Sequence, residues 1–225
     1  MRALEELQKA GKIRYAGVSN FLPDMMQECR KHLNIITNQV GYSLFERRPE
    51  RDIISYCEDN GMGIMSYGSL AHGLLAGNMT KDTQFESWDW RSSEYAFGMP
   101  FFQRGGHFEN NVEIQDRLRG IAELEGRTLP DLALAWVLSH KVITTALVGF
   151  RTPAEVEDAV NASEWNLPPD LLDEVTAISD QAFQRMVADE ELSSSYGHNP
   201  WNPEPPQFAG GGKSSVDEDF GDKKY

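Results

Sequence analysis

The chain has 225 residues, 40% of them hydrophobic, two cysteines and a formal net charge of −14 at pH 7. So acidic a protein repels both a nucleic-acid backbone and an anionic membrane surface, which excludes both as expected partners. No run approaches the ~18 apolar residues of a membrane span, the first turns carry Glu5, Glu6, Lys9 and Lys12, and Cys29 and Cys57 form no CxxC pair; the expectation is a cytoplasmic protein with reduced thiols.

Met1, Leu4 and Leu7 recur at helical spacing, and Gly11 follows where a left-handed C-terminal cap would sit. No Ser, Thr, Asp or Asn precedes that helix to satisfy its first N–H groups, so the chain is expected to begin in mid-element. Strands are predicted over 13–18, 35–40, 63–67 and 142–148. Helices are predicted over 23–32, 49–60, 112–125, 130–139, 153–160 and 169–179.

Strands alternating with helices imply parallel βαβ units, in an open doubly wound sheet or in a barrel. The strand exits carry Ser19, Asn20, Gln39, Tyr42, Tyr67, Ser69 and Arg151. Such a row favours the barrel, whose site is built on one face from successive strand ends. Four strands are half of an eight-stranded barrel, and the chain falls short of the about 250 residues typical of a whole one.

The connection 76–108 holds eight aromatic residues, Phe85, Trp88, Trp90, Tyr95, Phe97, Phe101, Phe102 and Phe108. That density argues against disorder and leaves two expectations, a flap over the strand exits or an Ω-like loop that only covers the barrel rim. Past residue 193 the composition turns to Ser, Pro, Gly and acid, without the apolar periodicity of a core. Residues 181–225 are therefore expected to form a disordered acidic tail behind a domain over 1–180.

Gly210, Gly211, Gly212, Lys213 and Ser214 suggest a phosphate loop, but Gln207 stands where the pattern needs glycine and no strand precedes it. The five histidines show neither i, i+4 pairing nor cysteine neighbours at ligand spacing, so no metal site is expected. No GxGxxG or GxSxG occurs, which removes the open-sheet dinucleotide fingerprint and the nucleophile elbow.

Four ordered stretches remain: 7–21 with Gly17-Val18-Ser19-Asn20-Phe21, Thr37-Asn38-Gln39-Val40, Tyr67-Gly68-Ser69-Leu70-Ala71-His72-Gly73-Leu74-Leu75, and Val148-Gly149-Phe150-Arg151-Thr152-Pro153. Together they resemble the C-terminal half of the aldo/keto reductases, over residues 1–180. The resemblance implies an α/β fold, a (β/α)8 TIM barrel of that type of which this chain carries about four βα units. It also implies an NAD(P)H-dependent reduction of an aldehyde or ketone, a small-molecule carbonyl substrate, to an alcohol.

Carried across, the resemblance implies that Ser19, Asn20 and Gln39 hydrogen-bond the nicotinamide carboxamide and that Tyr67 stacks on its ring. Gly68, Ser69 and Leu70 would run beside the pyrophosphate, although the family more often has Ser-Pro-Leu there. Gly149 and Arg151 would meet the adenosine phosphate at the next helix start, with Arg151 reading a 2′-phosphate. Glu155 and Asp158 belong to the same group. Glu155, Asp158 and Ala159 depart from the family's usual residues, and a carboxylate at Glu155 repels a 2′-phosphate unless Arg151 screens it. The cofactor implied is NADPH, with NADH also possible.

The family's proton-donating Tyr and its Lys, Asp and His partners come from the first half of the barrel and have no counterpart here, so no catalytic residue is assigned. The expectation is a truncated chain, inactive alone; the alternative is a non-catalytic nucleotide-binding or regulatory protein related to the family. Four parallel strands cannot close. Inward residues such as Tyr15, Ile36, Ile64 and Thr145, or their neighbours, are expected to lose cover at ~1.5–3 kcal/mol for each large apolar side chain. Against a net stability of ~5–15 kcal/mol, the monomer is expected to be marginal or to self-associate through its open edges.

Overall fold

Short runs of small and β-branched residues become strands, and a proline at the first turn of the next helix repeatedly marks the change of period. The computed structural model describes residues 1–188. In chain order the elements are α1 (Arg2–Lys9), β1 (Ala16–Ser19), α2 (Pro23–Arg30), β2 (Ile35–Gly41), α3 (Ile53–Asp59), β3 (Gly63–Tyr67), α4 (His107–Leu124), α5 (Leu129–Ser139), β4 (Ile143–Ala146), α6 (Pro153–Ser163) and α7 (Pro169–Val187).

The four strands lie in sequence order and every neighbouring pair is parallel. Ser19, Gln39, Met65 and Thr145 are in register across all four. Cross-strand partners in a parallel sheet share a face, so these residues form one row on the concave side. Gly17 belongs to that side too. A Cβ on Gly17 would stand 2.4 Å from Thr37 Cγ2, so β1 and β2 pack closely only because the side chain is missing.

The other face carries the core. Val40 and Ile64 are fully buried there, within one apolar cluster that includes Met26 and Cys29 of α2, Ile53 and Cys57 of α3, and Leu132, Trp136 and Val137 of α5. Ile64 therefore faces the helices and not the lumen. Tyr15 and Ile36 are the exposed members of the expected inward set, at 67% and 37%, and Thr145 is exposed beside them. Because the concave row is mostly small or polar, opening the barrel uncovers less apolar surface than four large inward side chains would.

Several boundaries differ from the sequence expectation. The predicted helix over 49–60 divides into a 3-10 turn, Arg48–Arg51, and α3, because Asp52 leaves helical geometry at φ −155° and ψ −33°. Helix α4 starts five residues early, where the Gly106 N–H donates to Glu109 Oε2 at 2.9 Å and supplies a cap. Helix α7 runs to Val187, since Ala182, Phe183 and Met186 continue its buried stripe. Residues 181–187 are thus helical, and not tail. The acidic segment from 193 and the Gly210-to-Ser214 run lie outside the described residues.

In the long connection, Phe101, Phe102 and Phe108 are buried and meet at ring separations of 6.2 to 6.3 Å, while Trp88 and Phe97 are exposed at 82% and 57%. Among the described residues no helix is long and apolar enough to cross a membrane.

Candidate functional site

Strand β1 ends where Asn20 turns to φ 58°, a conformation asparagine tolerates better than most residues. The Gln39 carbonyl accepts both the Asn20 N–H, at 2.9 Å, and the Ser19 hydroxyl, at 3.0 Å. The exit of β1 is thereby locked to β2. Asn38, fully buried on the opposite face, clamps the next residue: its Nδ2 donates to Phe21 O at 2.8 Å, and its Oδ1 accepts the Phe21 N–H at 3.4 Å. The resemblance assigns Asn38 no role. Its signal is an amide among the apolar, helix-facing positions of β2, where a partner must be found.

Tyr67 closes β3 in register with Gly41. Its ring lies flat against that glycine, where a Cβ would stand 3.2 to 3.4 Å from Cε2, Cζ and Oη. The hydroxyl reaches across β2 and donates to Asn20 Oδ1 at 3.0 Å. Burial, aided by the Glu46 carboxylate, pushes the phenol up to about 12, so it keeps its proton at neutral pH. Ser19, Asn20, Gln39 and Tyr67 thus meet at the exits of three neighbouring strands.

After Tyr67 the chain turns at Gly68, φ 62°. Ser69 is 1% exposed, with its Oγ 2.9 Å from Ser66 Oγ and donating to Ser66 O at 3.2 Å. Its hydroxyl faces the protein, so a ligand on this loop meets backbone rather than that side chain. The same bonds restrain the turn where the family's proline ring would. Leu70 follows, and then Ala71, His72 and Gly73 at φ 46°, 57° and 104°. His72 sits in an aromatic nest of Trp90, Phe97 and Phe101 at 5.3 to 5.6 Å. Burial, with a smaller push from Arg91, lowers it to about 4, and the ring is neutral at physiological pH.

A second group stands at the exit of β4. Thr152 caps α6 by accepting the Glu155 N–H at 3.3 Å, and Glu155 folds back to accept the Arg151 N–H at 2.7 Å. The Arg151 guanidinium meets the same carboxylate at 3.4 Å while remaining 84% exposed. That backbone bond and the Arg151 charge hold the Glu155 carboxyl below its usual range. Gly149 is exposed with open space about its Cα, and Asp158 lies exposed in the second turn of α6. The arrangement is a helix N-terminus with one cation, partly neutralised by one anion.

Residues 1–180 match the aldo/keto reductase family. The chain is similar to the aldo-keto reductase YhdN of Bacillus subtilis, 32% identical over 191 residues, which covers 84% of this chain and 56% of the relative. It is also similar to the NADH-specific methylglyoxal reductase of Escherichia coli, 32% identical over 167 residues, covering 73% and 48%. Among solved structures, the glycerol dehydrogenase of Gluconobacter oxydans superposes with a TM-score of 0.72 at 35% identity, covering 83% of this chain and 54% of the other. The chain spans about half the length of the curated relatives it matches. This protein belongs to the aldo/keto reductase family, and its sheet is a four-stranded part of that family's (β/α)8 barrel.

Proposed function

We propose that this chain binds a nicotinamide nucleotide at the exits of β1 to β3, as the nucleotide-holding part of an oxidoreductase that reduces aldehydes or ketones to alcohols. The observation that carries the reading is the Tyr67-to-Asn20 bond across β2, which sets an aromatic face beside a cluster of amide and hydroxyl groups. A carboxamide needs both donors and acceptors. Asn20 Oδ1 is taken by Tyr67, which leaves Asn20 Nδ2 to donate; the Ser19 hydroxyl gives its proton to Gln39 O, which leaves Oγ lone pairs to accept. Gln39 offers both functions from the neighbouring register position. Tyr67 fixes the plane of the ring, and a reduced nicotinamide so oriented supplies the hydride for a carbonyl.

The backbone of Gly68, Ser69 and Leu70 borders the path from that ring to the β4 exit, where Gly149, Arg151 and the start of α6 receive the adenosine phosphate. Arg151 favours NADPH, and Glu155, with Asp158 further along α6, reduces that preference so that NADH also binds. The proton donor is supplied by strands beyond these four, and this chain alone holds nucleotide without turnover. Support comes from the edges of β1 and β4, which among the described residues pair with no further strand, whereas a closed barrel has no edges. The same edges favour self-association at high concentration. Cys29 and Cys57 are buried, free and pushed up by burial, Cys57 to about 11, which suits a reducing cytoplasm.

Calorimetric titration of the 225-residue chain with NADPH, beside an assay of NADPH oxidation with a broad aldehyde, tests the reading. Saturable binding without turnover is expected. No binding overturns the cradle, and robust turnover overturns the assignment of the proton donor elsewhere.

A further inference from the structure

Strand β1 leaves the sheet while its neighbour β2 runs on to Gly41. Ser19 is the last residue of β1 in register with β2, opposite Gln39, and Asn20 then turns to φ 58°. Phe21 is bonded to a side chain in place of a strand. The Asn38 carboxamide carries the donor and the acceptor of a peptide unit and turns both to that one residue: Nδ2 donates to the Phe21 carbonyl at 2.8 Å, and Oδ1 accepts the Phe21 N–H at 3.4 Å. Asn38 is fully buried, in register with Val18 on one side and Ile64 on the other. An apolar residue between such neighbours would suit the core and would leave both Phe21 groups without these bonds.

The corner therefore holds two features that cost stability, a buried amide and a non-glycine residue in left-handed backbone. It is also the corner whose Ser19 and Asn20 meet the nicotinamide in the reading above. We infer that Asn38 is a positioning residue for nucleotide binding, its two bonds to Phe21 holding the Ser19–Asn20 corner in the binding geometry before a ligand arrives. The inference rests on that nucleotide-binding reading. Gln39 O and Tyr67 Oη fasten the corner from the strand exits, and Asn38 fastens it from the opposite face of the sheet, where it acts only through Phe21. Without the clamp the nucleotide has to order the corner itself, which lowers affinity. The loss falls at the nicotinamide end, because the adenosine phosphate is received at the β4 exit.

The test compares the parent chain with Asn38→Leu, similar in size but without polar atoms, with Asn38→Ala, and with Val40→Ala, which thins the core further along β2 and leaves the clamp whole. NADPH and 2′-phospho-ADP-ribose, which lacks the nicotinamide, are titrated calorimetrically beside thermal melts. Both Asn38 variants are expected to bind NADPH roughly three- to thirtyfold more weakly, the worth of one or two hydrogen bonds, and 2′-phospho-ADP-ribose as the parent does. Val40→Ala is expected to melt lower and to keep the parent's ratio of the two affinities. If the Asn38 variants keep that ratio, or Val40→Ala changes it as much as they do, the positioning role is overturned and the nucleotide reading stands. In the parent, the Phe21 amide is expected to resist hydrogen exchange before any nucleotide is added; fast exchange there overturns the clamp whether or not the variants fold. If the parent binds neither ligand, the nucleotide reading falls and this inference with it.

Discussion

The Tyr67 hydroxyl and the Asn20 side chain are joined at 3.0 Å although one residue ends β3 and the other follows β1, two strands away. This bond fixes the Asn20 side chain against the Tyr67 phenol. Tyr67→Phe keeps the ring and loses the bond, at a cost of about 1 kcal/mol. The expected result is a small fall in melting temperature and roughly fivefold weaker NADPH binding, read by thermal melts and calorimetry. Tyr67→Leu, which also loses the aromatic face, is expected to weaken binding further.

Gly41 is fixed by the same ring. A methyl group there would press on Cε2, Cζ and Oη of Tyr67 at 3.2 to 3.4 Å and tip the ring from its seat. Gly41→Ala is expected to weaken NADPH binding in the parent and to have little effect in a Tyr67→Leu background. Residues in contact couple in this way. Equal losses in both backgrounds would show that Gly41 acts through the backbone and not through the ring.

At the β4 exit, the proposed nucleotide reading gives Arg151 and Glu155 the balance between NADPH and NADH. Glu155→Gln removes the anion beside Arg151 and is expected to raise the NADPH-to-NADH affinity ratio by about 1.5- to 5-fold, the worth of an exposed charge pair. Arg151→Ala is expected to lower that ratio by a similar factor. Both effects shrink as added salt screens the exposed groups, which titrations at two ionic strengths can measure.

The imidazoles set a pH dependence of stability. Burial lowers both His72, to about 4, and His140, whereas an unfolded imidazole protonates near about 6.5. Between those values the unfolded chain binds more protons, so stability rises with pH. It is fully present above about pH 6.5 and is lost as pH falls towards 4. Melting temperature is expected to drop between pH 7 and 5. His72→Asn, which suits the φ of 57°, is expected to flatten that slope; an unchanged slope would remove His72 from the account.

The strand and helix alternation was legible because period and punctuation agree: Pro23, Pro153 and Pro169 open helices where the sequence places them. Ser19, Asn20, Gln39 and Tyr67 were legible as polar or aromatic strand exits, and the structure brings them together. Which side of the sheet faces the lumen was not legible. The register shifts between Ala16 and Val18 and between Ile64 and Met65, and each slip exchanges faces, which is how Ile64 was expected inward and lies among the helices. Phe97 is not distinguishable in sequence from the other aromatics of its connection, because its contacts span about thirty residues and composition carries no trace of the turn that places it beside Tyr67.

One sheet here divides its labour between its two sides. The convex side holds Val40, Ile64 and the helix-borne core, and the concave side shows Ser19, Gln39, Met65 and Thr145 to the lumen. Substitutions at Gln39, Met65 and Thr145 therefore touch little of the apolar core that keeps the protein folded. Ligand preference in this scaffold is free to be retuned by single changes, at small structural risk, so long as the outward side is left alone.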